Sequence, residues 1–485
     1  MRRRALALFA AVATPAAAQE RAAVERALAA LVAAPALAGA RAGVEVRDLA
    51  TGEVLAAHDA DKGFLPASNM KLIATAVALQ TLGPDFTFAT RVVAAAAPHD
   101  GVVAGDLFLV GDGDPSLGGR PEPDAMAPLR ALADQLFAAG VRAVQGRVLG
   151  GGRSALHEPY GRGWQWDYLD DDYAAPCAVL NFAENVVEVV VAAGKNDAQP
   201  TVRQQPDVGA LRCELDVQRA AAATAAALHF ARPLRDEWLH VTGTLADDGK
   251  EQRLRVAVTD PCAYAARAWL CALRDRGIEV RSGADSLERA GAALPPAPVQ
   301  LAELRSPPLA RLLVTTLEHS INLYAEQLWR TAAVHGGDPR ASADCEQFAK
   351  SVLQKLGVDV QGMVLADGSG LSRRDLVQPR QLVALLACIH GSDRLRGIEA
   401  ALPVAGRSGT LHTRLAGNAT RDHVRAKTGF VSYVACLSGY VDRPGGAPPL
   451  AFAVMLNNFT CETDAAKAAI DGFVERLAVA SGWSP

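Results

Sequence analysis

Residues 64–84 read FLPASNMKLIATAVALQTLGP, a proline-containing loop that passes into an almost wholly apolar helix. Ser68 stands at the entry to that helix, and Gly83-Pro84 ends it. Residues three apart on a helix share a face, so Lys71 lies within reach of the Ser68 hydroxyl. The start of a helix also presents unpaired N–H groups and the positive end of the helix dipole, both of which favour a developing oxyanion. A lysine serves as a base toward serine only when its pKa is lowered by burial or by a neighbouring cation. Met70, Leu72 and Ile73 put Lys71 in apolar company. The bland alternatives are an N-cap serine and a solvated helix lysine.

Working outward, GVEVRDLATGEVLAAHDAD (43–61) alternates like two strands joined at Thr51-Gly52. Near the other end, VRAKTGFVSYVACLSGYV (424–441) and PLAFAVMLNNF (449–459) read as two strand-like segments. They precede an amphipathic helix from Asp464 to about Ala480. Strands flanked by helices on both sides of the sequence predict an α+β domain, an antiparallel sheet covered by helices. From about 90 to 300 the character changes. Short strand-like runs such as RVVAAAA (91–97), GDLFLVG (105–111), VVEVVVAAG (186–194) and LRVAVTD (254–260) are separated by Gly, Pro and Asp, and AGAALPPAPV (290–299) reads as a linker. A chain of 485 residues is too long for one core of ordinary size, and the middle third reads as an insertion.

Two further patterns complete the first. Ser320-Ile321-Asn322 and Lys427-Thr428-Gly429 follow Ser68-Asn69-Met70-Lys71 in the chain. With 17 serines and 8 lysines, about 0.3 SxxK matches are expected by chance, so that motif alone is weak. Three patterns, each present once and in an order that one mechanism uses, are hard to explain by chance. Lys427 is expected to act as the second cation that lowers the pKa of Lys71, and to attract a substrate carboxylate. Gly429, without a side chain, lets a substrate backbone lie against its strand. Ser320 can relay a proton to a leaving group, and Asn322 can hold Lys71 and a substrate amide. Ser320 and Asn322 also fit a helical pattern, in which they would be plain surface positions.

The three motifs together resemble those of penicillin-binding proteins and serine β-lactamases. The chain resembles in particular the D-alanyl-D-alanine carboxypeptidase/endopeptidase family called penicillin-binding protein 4, or class C low-molecular-mass penicillin-binding proteins. The separation 320 − 68 = 252 residues is similar to that family's large two-domain insertion. Further likeness lies in GDLFLVGDGDPSL (105–117), GWQWDYLDDDYAAP (163–176), ADGSGLSRRDLVQP (366–379) and LPVAGRSGTLHTRLAG (402–417). The resemblance implies a serine β-lactamase/transpeptidase-like domain with a large β-rich two-domain insertion. It divides the chain into a signal peptide (1–18), the catalytic domain (19–92 and 300–485), an inserted domain II (93–185 and 241–299) and an inserted domain III (186–240).

The resemblance further implies that Ser68 is acylated with Lys71 as its base, and that Ser320 and Asn322 form a second wall. Lys427, Thr428 and Gly429 line the substrate strand, the N–H groups of Ser68 and Phe430 make the oxyanion hole, and Thr410 and Arg373 lie near substrate carboxylates. Peptidoglycan stem peptides and inhibitory β-lactams are the implied ligands, with no cofactor and no metal. Tyr168 falls where relatives place an aspartate that reads a free amine; either Asp167, Asp170 or Asp171 compensates, or the acidic cluster is a solvated loop with a helix cap. The open alternatives are a β-lactamase or D-peptide esterase/amidase of the same fold, and a non-catalytic cell-wall binding protein.

The remaining composition bounds the setting. A formal charge of -4 leaves no electrostatic footprint for nucleic acid. MRRRALALFAAVATPAAAQE (1–20) reads as a secretory signal cleaved before Gln19, predicting a periplasmic protein without a membrane span. The eight cysteines form no CxxC pair, and Cys388 and Cys436 read as small core residues.

Overall fold

The computed structural model of the chain describes residues 15–153, 156–194, 199–222, 225–234, 236–247 and 249–485. Most of the signal-like segment, residues 1–14, lies outside them. The expected cleavage point before Gln19 falls near the start of the helix Pro15–Val32.

The strands expected around the Ser68 helix join one five-stranded antiparallel sheet. Its order is Val424–Val431, Val434–Val441, Leu450–Asn457, Arg41–Asp48 and Val54–His58. The stretch 424–441, read above as one strand-like segment, is therefore two strands. It reverses at Ser432-Tyr433, where Tyr433 takes a φ of 63°. No Gly, Pro, Asn or Asp marks that turn, which is why the sequence pattern ran straight through it.

The middle strand is apolar at nearly every position because both of its faces are covered. Leu450, Phe452, Val454 and Leu456 pack with the helices Pro15–Val32 and Thr463–Ala480, while Ala451, Ala453 and Met455 face the helical core. The helix Met70–Leu82 lies inside that second core, and every residue from Met70 to Leu79 is buried. A helix apolar all round is a buried one. It packs chiefly on Asn322–Gly336, and that packing brings the first two motifs together.

The chain leaves this body through Ala89–Ala94 and returns through Val299–Arg305. These two strands pair antiparallel with each other, so the excursion begins and ends side by side. They belong to a mixed five-stranded sheet with Leu107–Val110, Val148–Gly151 and Ala284–Ser286. The helices Ala127–Ala138 and Pro261–Asp275 pack on it around a core of their own. Two three-stranded sheets, built on Val186–Ala192 and Trp238–Ala246, and a short parallel one extend the excursion. The fold is α+β, with a helix-covered antiparallel sheet interrupted by a large β-rich insertion.

Candidate active site

Ser68 sits in a single 3-10 turn, Ala67–Asn69, that runs directly into the helix starting at Met70. Ala67 just before it has a φ of 45°, a region that side chains other than glycine seldom enter. The turn is held from two sides. Buried Asn69 donates through Nδ2 to Ser438 Oγ at 3.1 Å, which ties it to the sheet. Gly370, at φ +83°, approaches so closely that a Cβ there would lie 1.8 Å from the Ala67 carbonyl oxygen. Strain at one residue persists where its surroundings over-determine it, and that is the situation at Ala67.

Lys71 is completely buried. Its Nζ lies 2.8 Å from Ser68 Oγ, 2.6 Å from Asn322 Oδ1 and 2.9 Å from the Ser369 carbonyl oxygen. Burial pushes its pKa down to about 7, against the pull of the Asp367 and Glu326 carboxylates, which favour the charged form. The expected cause is thus corrected: desolvation lowers Lys71, and the influence between the two lysines is felt at Lys427. Lys427, also fully buried, is driven well below its ordinary value by burial first and by Lys71 second.

Ser320 and Ile321 are not helical. They link Leu309–Glu318 to Asn322–Gly336, and Ser320 takes a φ of 60°. Ser320 Oγ accepts from Lys427 Nζ at 2.9 Å, and Lys427 also donates to its neighbour's carbonyl, Thr428 O, at 3.0 Å. Ser320, read from the sequence as a proton relay, is thus joined to Lys427. Asn322 does hold Lys71, but its Nδ2 donates to the Tyr173 carbonyl at 2.7 Å, leaving one hydrogen for a ligand. Thr410 joins the site through a 2.8 Å hydroxyl contact with Thr428. Arg373 donates to the Ser432 carbonyl at 2.8 Å, at the turn beyond Phe430.

Gly429 is closely packed on the side that a side chain would occupy. A Cβ there would meet the Pro66 carbonyl oxygen at 2.8 Å and Ala67 Cβ at 3.3 Å. Its bareness lets the turn that carries Ser68 press on the strand; the space is filled by protein.

The site opens into a cleft of about 300 Å³ lined by Ser68, Ser320, Asn322, Gly370 and Leu371, by Phe430, Val431 and Ser432, and by Tyr168 and Tyr173 from the insertion. The two tyrosine rings meet edge to face at 5.7 Å. Asp170 pairs with Arg232 at 2.7 Å, and Asp171 accepts from the Tyr173 hydroxyl at 2.6 Å. Asp167, Asp170 and Asp171 are not among the residues that line the cleft.

Sequence reasoning gave no role to the buried carboxylates behind Lys71. Glu326 Oε1 accepts from the N–H groups of Gly368 and Ser369 at 2.8 and 2.9 Å. Asp367 accepts from the Gly370 and Ser372 N–H groups and from Trp164 Nε1. Asp375 accepts from the N–H groups of Ala366 and Asp367, and burial raises it well above the carboxylate range. One signal was available: Glu326 is four residues past Asn322, on the same helix face.

A family model described as the D-Ala-D-Ala carboxypeptidase 3 (S13) family, Peptidase S13, matches residues 24–479. The chain is 35% identical over 462 residues to a D-alanyl-D-alanine carboxypeptidase of Actinomadura sp. (strain R39), covering 91% of this chain and 81% of that protein. Its fold is similar to the crystal structure of penicillin binding protein 4 (dacB) from Haemophilus influenzae, with a TM-score of 0.78 and 27% identity. That match covers 90% of this chain and 95% of the other. The same protein complexed with a novel β-lactam is similar at a TM-score of 0.72 and 26% identity, with coverage of 90% and 95%.

Proposed function

The chain belongs to the D-Ala-D-Ala carboxypeptidase 3 (S13) family, and from that premise we propose that it is a penicillin-sensitive serine-type D-alanyl-D-alanine carboxypeptidase with Ser68 as its nucleophile. One observation carries the assignment: Ser68 Oγ lies in a cleft, 2.8 Å from the amine of a fully buried lysine whose pKa is near 7. A general base works best with its pKa near the working pH.

Neutral Lys71 takes the Ser68 proton as Oγ attacks the carbonyl carbon of the penultimate D-alanine. The N–H groups of Ser68 and Phe430 hold the oxyanion, an interaction worth about 3–4 kcal/mol per donor. As the C–N bond breaks, the leaving amine takes its proton from Ser320, which is refilled from Lys427 at 2.9 Å. Once Lys71 has taken the Ser68 proton, its charge adds to burial in lowering the pKa of Lys427, which drives that proton out. Lys71 is then charged and Lys427 neutral, and hydrolysis of the ester by water reverses the two transfers. The substrate's terminal carboxylate lies near Lys427, Thr428 and Thr410, with Arg373 at the rim.

The same site would cut D-alanyl cross-links in peptidoglycan, as an endopeptidase. Residues 19–92 and 300–485 form the catalytic domain in this reading, and the insertion supplies Tyr168 and Tyr173 as one wall of its cleft. An enzyme of this class acts outside the cytoplasm, in keeping with export to the periplasm through residues 1–18. Among the described residues no helix is long and apolar enough to cross a membrane.

Intact-protein mass spectrometry of the mature protein with benzylpenicillin, beside Ser68→Ala, tests the proposal. A one-to-one adduct is expected, absent in the variant. A folded protein that forms no adduct removes Ser68 from the chemistry, and rapid release of hydrolysed penicillin points instead to a β-lactamase.

A further inference from the structure

The helix Asn322–Gly336 reaches Lys71 twice. Asn322, at its first residue, accepts from Lys71 Nζ directly at 2.6 Å. Glu326, one turn later, does so at one remove. Its Oε1 accepts from both Gly368 N and Ser369 N, and the carbonyl of that same Ser369 accepts from Lys71 Nζ at 2.9 Å. The loop that carries the third partner of the lysine is thus fastened to the helix that carries the second.

Glu326 is 1% exposed, and a buried carboxylate with no stabilising partner would be expelled or neutralised. Arg330, one turn further on, stands 3.8 Å from its Oε2 but is itself turned to the Glu158 carbonyl. The charged and titratable groups facing Glu326 are therefore Asp367 and Lys71 from other elements and Arg330 from its own, with Cys177 and Cys345 around Arg330.

Resting on the proposed role of Lys71, we infer that Glu326 is a positioning residue for the acylation step, holding the Ser369 carbonyl on Lys71 and supplying negative charge that retains the lysine's proton. Two consequences separate. Burial and the neighbouring Asp367 raise the Glu326 carboxyl itself to about 7, so its charge is present above that pH, where it stabilises the ammonium form and raises the pH at which Lys71 becomes a free base. The two accepted N–H bonds fix where the Lys71 amine lies relative to Ser68, so they set the limiting rate once the lysine is neutral.

The experiment is the pH dependence of acylation by a fluorescent penicillin, measured on the full chain. Glu326→Gln keeps the shape and one acceptor oxygen but removes the charge. Its acylation midpoint should move to lower pH by about half a unit, making it relatively more active than the wild type around the wild-type midpoint near 7. Glu326→Asp keeps the charge but withdraws it by one methylene from the N–H pair. Its midpoint should stay near that of the wild type while its limiting rate falls about tenfold or more. A Glu326→Gln midpoint equal to the wild type's overturns the inference. If Glu326→Gln does not fold, by its melting curve, Glu326→Asp carries the test, and an unchanged limiting rate overturns it. A purely structural role would lower the amount of folded protein and leave both midpoints in place. The wild-type adduct keeps the two readings apart: an adduct with unmoved profiles defeats the role of Glu326 alone, and no adduct defeats the role of Ser68.

Discussion

Gly370→Ala should disable Ser68 without touching any group that takes part in the chemistry. Its new Cβ would lie 1.8 Å from the Ala67 carbonyl oxygen, 2.4 Å from Ala67 C and 2.9 Å from Met70 Cβ. Real Cβ atoms do not come within 3.0 Å of such neighbours, so the two backbones must separate by at least 3.0 − 1.8 = 1.2 Å. Ala67 carries Ser68 on its next bond, and it is already held at a φ of 45° with Pro66 against Gly429 on its other side. A misplacement of about 1 Å at a reacting group costs on the order of 100-fold, and that is the expected loss in acylation rate. The stability cost combines about 1–2 kcal/mol for a side chain at positive φ with about 1–3 kcal/mol for overpacking. Gly357→Ala isolates the first of these, since Gly357 has nearly the same φ, +81°, with nothing within 4 Å of its Cβ. Stopped-flow acylation with a fluorescent penicillin, beside urea unfolding of both variants, makes the comparison. If Gly370→Ala acylates like Gly357→Ala, the close approach does not position the nucleophile and the reasoning fails.

Three further outcomes follow from the same geometry. Acylation should rise about tenfold per pH unit up to about 7, where Lys71 gives up its proton, and level off above it; a flat profile would remove Lys71 from the role of base. For stability, unfolded Lys71 keeps its proton to 10.5 while the folded one loses it at about 7, so burial costs most below about 7 and is relieved as pH rises toward 10.5. Lys71→Met should accordingly be the more stable protein at pH ~7, with an advantage that shrinks by about 2 kcal/mol by pH ~9. Urea unfolding at the two pH values measures this, and a constant advantage contradicts the buried neutral lysine. Tyr168→Asp places a carboxylate in an otherwise uncharged wall. The kcat/KM ratio for a D-alanyl-D-alanine peptide with a free side-chain amine over its acetylated form should rise about tenfold, the effect of about 1.4 kcal/mol of partly screened attraction. An unchanged ratio would show that the substrate side chain does not reach Tyr168.

What the sequence showed well was whatever is local. Ser68 and Lys71 stand three residues apart where a 3-10 turn runs into a helix, so their meeting follows from spacing alone, and the apolar neighbours of Lys71 announced its burial. The joining of Lys71 to Asn322 followed from recognising three motifs as one set, whereas the pairing of Lys427 with Ser320 did not. What stayed hidden was set by packing between distant segments. Gly429 looked like room for substrate, yet Pro66 and Ala67 occupy the space it leaves. Lys427 looked like the cation that tunes Lys71, but with both amines fully buried, desolvation outweighs the charge between them. The hairpin turn at Ser432-Tyr433 carries no Gly, Pro, Asn or Asp, so a pattern reading had little to stop it.

The insertion is where local reading fails most and where the structure says most about selectivity. Residues 163–176 read either as a segment that meets a substrate amine or as a solvated acidic loop, and neither reading foresaw its ties to the surroundings of Lys71. Trp164 donates to Asp367 at 2.8 Å, the Arg162 carbonyl accepts from Ser372 at 2.7 Å, and the Tyr173 carbonyl accepts from Asn322 at 2.7 Å. Each bond ties the insertion to a loop or helix end that also holds Lys71. Ser369, between Asp367 and Ser372, and Asn322 are both direct partners of its amine. Backbone carbonyls make two of these three ties, so the side chains of this segment are free to vary without loosening the lysine. Tyr168 is such a side chain, in the cleft and outside this hydrogen-bond frame. The segment can therefore change what the cleft accepts while leaving how Ser68 is activated untouched.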